Sequence, residues 1–192
     1  MGSTRSTTLV LVGTESAAAI GALSRLKNVR VTSFTGDAGV GGGVTDEDVE
    51  RWVSQSDAPY VVHDRDPLGH VAAAWVEFFD DLSTLGTLDL EVDRVVASLE
   101  RGILSLPDYY IVLEPESLAP TWKHWWLGVL PQAAPTRVIP FTEGRTPLSR
   151  VLGQLPTGRA WPKPEPWLHD VARSVPDRIG LEPREGGHPE SP

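Results

Sequence analysis

The chain has 192 residues, no cysteine and a formal net charge of -9. Its 40% hydrophobic and 22% charged content is a globular balance, long enough for one domain with a sizeable core. Without cysteine there are no disulfides, thiolate metal sites or cysteine nucleophiles. The acidic excess disfavours autonomous duplex DNA binding, which relies on clustered Lys and Arg to neutralise phosphates. It suits a small phosphorylated ligand, a metal or a protein partner better. No apolar run approaches the roughly 20 residues that span a bilayer, and the start MGSTRSTTLVLVG has no signal-peptide core. The expectation is a soluble, cytoplasmic protein with no membrane segment.

In chain order the pattern alternates strand and helix. Thr8–Val12 is a continuous β-branched apolar run ending at Gly13, as a buried parallel strand requires. Helical spacing follows over Glu15–Lys27, then a strand over Val29–Phe34 that runs into the glycine loop GDAGVGGG. Thr45 and Asp48 form a capping-box pattern opening a helix to about Gln55, and Tyr60–His63 is the third strand. Helices are expected over His70–Leu82 and Asp89–Arg101, a strand over Tyr109–Leu113, a helix over Thr121–Leu130, and a strand over Arg137–Phe141. Pro140 makes that strand an edge, because proline cannot donate to the ladder. Short helices over Pro147–Leu155 and Trp167–Val175 complete a domain of residues 1–181, followed by a polar tail of residues 182–192 that reads as disordered.

Strands joined by helices imply right-handed crossovers and a Rossmann-like, three-layer α/β fold: a mainly parallel sheet of about five strands with helices on both faces. All strand C-termini then open on one edge, where ligands bind in such sheets. That edge would gather Glu15, Asp37, Asp64, Asp66, Glu114 and Glu116. Carboxylates converging on one crevice repel one another unless a cation intervenes, and their hard oxygens favour Mg²⁺ or Mn²⁺.

Asp64 and Asp66, two apart at a strand end, are placed to share one metal or one water shell, or simply to cap the turn into the next helix. His63 and His70 flank them and admit a mixed His/Asp transition-metal site, although adjacent strand residues point to opposite faces and His63 reads as structural. The glycine loop lacks the Lys and Ser/Thr of a phosphate-binding P-loop, since Gly42 and Gly43 stand there; it reads as a flexible loop or a lid. In TWKHWWLGVL, Trp122, Trp125, Trp126, Val129 and Leu130 share one helix face, the pattern of core. RAWPKPEPWLHD, stiff with proline, reads as an intramolecular strap or a partner-docking segment. Ser16 has no G-x-S-x-G elbow to make it a nucleophile.

DRDPLGHVAAAW resembles the second signature of Toprim domains, a DxDxxG motif at a strand end followed by a helix. Such domains occur in primases, topoisomerases, OLD-type nucleases and recombination-repair proteins. The family's first signature is a strand ending in Glu-Gly. Here LVLVGTESAAAIGAL supplies Gly13, but Val12 stands where the acid belongs and Glu15 is the nearest one. The resemblance spans roughly Thr8–Phe79. It implies Mg²⁺ (or Mn²⁺) held by Asp64 and Asp66, with Glu15 as the catalytic acid/base from a shifted position, and phosphoryl transfer or phosphodiester cleavage on a substrate presented partly by another protein. The alternatives are a metal site without catalysis, a protein-interaction or regulatory module on the same fold, and a metal-independent nucleotide-binding enzyme.

Overall fold

The computed structural model describes residues 6–35, 43–144, 146–156 and 160–173. Five strands, β1 (Thr7–Gly13), β2 (Val29–Val31), β3 (Tyr60–His63), β4 (Tyr109–Leu113) and β5 (Val138–Phe141), form one sheet in the order β2-β3-β1-β4-β5. Every pairing is parallel, so the fold is a three-layer, Rossmann-like α/β architecture. Strands β1 and β4, wholly or almost wholly buried through their apolar residues, lie side by side at the centre. Pro140 falls on the edge strand, where a missing N–H is tolerated.

Right-handed crossovers then decide which face each helix covers. The chain steps one way from β1 to β2 and the other way thereafter. Helix α1 (Ser16–Leu23) therefore lies on one face. The opposite face takes α2 (Asp46–Ser54), α3 (Gly69–Phe79), α4 (Leu85–Glu100), and the rod α5 (Pro120–His124), π-helix (Trp125–Val129) and α6 (Leu130–Ala133). Helix α7 (Leu148–Leu152) returns to pack on α1, and α8 (Pro164–Asp170) packs on α4. The period-2 alternation of each strand feeds two cores. Leu9, Leu11, Ile111 and Leu113 meet Leu23 and Leu152 on one side; Val10, Val12, Tyr110 and Val112 meet Trp75, Val92 and Trp125 on the other.

Departures from sequence expectation have local causes. Strand β2 stops at Val31 rather than Phe34, because the main chain of Phe34 and Thr35 donates to the Asp64 carboxylate instead of to a ladder. Helix α4 opens at Leu85 rather than Asp89, capped by the Thr84 hydroxyl. The capping box of α2 forms as read, with Thr45 and Asp48 exchanging side-chain to main-chain bonds. The C-terminal segment is the intramolecular strap. Trp161 Nε1 donates to the Pro107 carbonyl (2.7 Å), Trp75 Nε1 to that of Val171 (2.9 Å), and the Trp161 and Trp167 rings stack. The glycine loop (all but Gly43) and the 182–192 tail lie outside the described residues. Among the described residues, no helix is long and apolar enough to cross a membrane.

Gly13 ends β1 with φ 98°, and a Cβ there would stand 2.3 Å from the Leu113 carbonyl oxygen of β4. Gly13→Ala combines a left-handed backbone with a main-chain clash, so it is expected to cost about 2 kcal/mol or more in urea denaturation. An unchanged midpoint would show that the β1–β4 ends are not so closely apposed.

Candidate functional site

The C-terminal ends of β1, β3 and β4 meet at the sheet centre, where connections leave toward opposite faces. This is the crevice that open α/β sheets offer to ligands. The segment after β3 carries Asp64 and Asp66 into it, and the two acids are in unlike environments.

Asp64 is 8% exposed and its oxygens are fully employed. Oδ1 accepts from the Phe34 and Thr35 N–H groups (2.7 and 3.3 Å), and Oδ2 from the Ser33 and Thr35 hydroxyls (2.5 and 2.7 Å). A carboxylate offers about four lone-pair sites, and all four are taken. Burial pushes its pKa up, but the hydrogen bonds outweigh it and hold the group below the ordinary carboxylate value.

Asp66 is the open group. Its Oδ1 accepts from the Leu68 N–H (2.9 Å) and the Tyr110 hydroxyl (3.0 Å), whereas Oδ2 is shut from solvent and has no hydrogen-bond partner. Burial raises its pKa to about 6, against the lowering effects of Leu68, Tyr110 and the Arg65 charge. The residue is half-buried, but one of its two oxygens is buried and bare. Such a group calls for a cation or a donor. A Cβ at Gly69 would meet that oxygen at 3.6 Å, an ordinary van der Waals contact.

Around Asp66 the crevice has two lobes that share Thr35, Asp64, Asp66 and Gly69. One, about 400 Å³, has apolar and aromatic walls from Val12, Leu118, Trp122 and Trp126. The other, about 500 Å³, is charged, with Arg65, His70, Glu91 and Arg94. The tryptophan stripe is thus divided: Trp125 and Trp126 are core, as the periodicity reads, while Trp122 is half-buried and lines the crevice. The π-helix carries Trp126 beside it, and such widened turns recur at functional sites.

Glu15 is not brought to the aspartates. It caps α1 in a left-handed conformation, exposed, and lines a different cavity of about 410 Å³ with Glu114 and Glu143. Val12, by contrast, faces the same lobe as Asp64 and Asp66. Among the described residues no group of three or more His, Asp or Glu side chains is placed to hold a metal. His63 is buried as expected yet not satisfied, since Nδ1 lacks a partner. It packs edge-on against Phe34 and Trp52 and lines a separate groove of about 710 Å³ beside α2. Tyr110, which bonds Asp66, and Trp122 and Arg94, which line the lobes beside it, come from distant segments and escaped the sequence reading; only the Trp122/Trp126 spacing signalled any of them.

No protein-family model matches this chain, and no curated protein matches it.

Buried His63 and half-buried Asp66 set opposing pH dependences. Desolvation depresses His63 to about 4, so its contribution to stability is complete above its ordinary value of 6.5 and is lost as pH falls toward 4. Asp66, raised from 3.8 to about 6, contributes fully below 3.8 and loses that contribution as pH rises through 6. Each amounts to about 3 kcal/mol, so between pH 4 and 6 they largely cancel. Asp66→Asn is expected to unmask the histidine: urea-unfolding stability should fall by about 3 kcal/mol from pH 6.5 to pH 4, where the wild type changes much less. A variant profile parallel to that of the wild type would refute this.

Proposed function

We propose that this domain binds a divalent cation, Mg²⁺ or Mn²⁺, through Asp66 at the β1–β3–β4 crevice, and that it binds rather than cleaves. The observation that carries this reading is the bare, buried Oδ2 of Asp66 at the strand edge. The residues fit such an ion in a particular way. Asp66 supplies the inner oxygen, and Asp64, saturated by the 33–35 segment, holds the wall beside it. Mg²⁺ commonly takes only one or two carboxylates and completes its shell with water and ligand phosphates, so a single inner carboxylate can serve. When bound, the cation would supply charge for holding a phosphorylated ligand.

The likeness of DRDPLG to the Toprim signature agrees with this placement, and it extends to Val12 facing the same lobe. That valine also argues for binding without chemistry, because no general acid/base stands there and Glu15 lines another cavity. A role as an interaction or regulatory module has its own support. Leu82, Leu85 and Leu90, at the α3–α4 turn and in the first turns of α4, are 77%, 46% and 50% exposed, apolar surface that a partner could cover.

Titration with Mn²⁺, followed by electron paramagnetic resonance of the free ion, tests the proposal. One bound ion is expected in the wild type and none in Asp66→Asn. Glu15→Gln should bind as the wild type does. Affinity should rise with pH to a plateau above about 6, because a proton competes for the same oxygen. Equal binding by wild type and Asp66→Asn, or no binding by either, sinks the metal site.

A further inference from the structure

The two lobes differ in chemistry, and Asp66 stands at their junction. On one side Trp122 and Trp126 lie near parallel, 19° between planes and 6.4 Å between centroids. Trp126 is 4% exposed and Trp122 half-buried, and both line the crevice. Val12 and Leu118 add apolar groups to that lobe beside the polar Thr14, Ser16 and Thr35, leaving a flat ring apolar surface to lie against. On the other side Arg65 and Arg94 flank the charged lobe. Both already pair with acids, Arg65 with Asp46 at 3.1 Å and Arg94 with Glu91 at 2.7 Å. Counting Asp64 and Asp66, carboxylates outnumber guanidinium groups in that lobe. A bare anion is repelled there; an anion that arrives with a divalent cation at Asp66 is not, and the arginines then add to its hold. The ligand that meets both lobes carries an aromatic ring at one end and a phosphate at the other. A long polyanion is disfavoured by the chain's net charge of -9, and the lobes, about 400 and 500 Å³, suit one nucleotide unit.

We infer that the crevice takes a 5′-mononucleotide together with Mg²⁺, its base extending the Trp122–Trp126 stack and its phosphate lying between the cation and the Arg65/Arg94 side. This inference rests on the cation reading at Asp66 and goes beyond it in naming the ligand and the specificity residue, Trp122.

The test is isothermal calorimetry and tryptophan fluorescence on the full chain with AMP, GMP, CMP and UMP. Ribose 5-phosphate and the matching nucleosides serve as half-ligands, in Mg²⁺ and in EDTA. At least one nucleotide is expected to quench the tryptophans and to bind about tenfold or more tighter than either half, the gain a stacked base supplies. EDTA should weaken it by at least about tenfold, since the phosphate then faces an acidic lobe alone. Trp122→Leu should reduce the nucleotide to the affinity of ribose 5-phosphate while leaving Mn²⁺ binding intact, and Trp122→Phe should keep most of the preference.

If all four nucleotides bind no tighter than ribose 5-phosphate while Mn²⁺ still binds, the ligand inference is overturned and the cation site stands. Nucleotide binding that is indifferent to EDTA, with no bound Mn²⁺, overturns the cation reading and with it this inference. A preference that survives Trp122→Leu overturns the assignment of Trp122.

Discussion

The carboxylate of Asp64 is the hinge of the whole edge. Four donors from the segment after β2 converge on it, two from the main chain and two from hydroxyls. Those bonds replace ladder bonds, so β2 ends early and the 33–35 segment bends back over the end of β3. They also stabilise the ionised form of a nearly buried acid, which leaves one oxygen-rich wall that needs nothing further. With Asp64 spent in this way, whatever the crevice binds must be met by its neighbour.

Asp66 is held where a carboxylate does not ordinarily rest. Tyr110 rises from the central strand β4 to donate to Oδ1, and the Leu68 N–H does the same from the turn into α3. Neither reaches Oδ2, and burial therefore shows as a raised proton affinity rather than as a completed network. Leaving one buried acceptor unmade is costly, of order 1–3 kcal/mol, and such costs in folded proteins concentrate at sites of use. The neighbouring His63 repeats the theme with a shift of the opposite sign, because desolvation disfavours the imidazolium and so again favours the neutral form.

The same economy appears in the tryptophan helix. A stripe at helical spacing has to pack against the sheet, and Trp125 and Trp126 do so. The π-helical turn changes the pitch beneath them, and the first member of the stripe, Trp122, is left at the crevice rim. The strap from Trp161 to Val171 then seals the outer side of that layer through indole donors to the Pro107 and Val171 carbonyls. Core, wall and seal are thus made from one residue type, chosen for large apolar area with a single polar atom.

The sequence by itself determined the scaffold. Period-2 apolar runs, capping residues and glycine stops are local signals, and they placed all five strands, the polarity of the sheet and the position of Asp64 and Asp66 at its C-terminal edge. What only tertiary structure decided is the state of each acid. Asp64 and Asp66 look alike in DRDPLG, yet partners from residues 33–35 satisfy one, while Tyr110, far along the chain, half satisfies the other. Glu15, close in sequence to Val12, is turned by its left-handed backbone toward Glu114 and Glu143. Burial and hydrogen bonding are sums over neighbours in space, and local sequence carries no record of those neighbours.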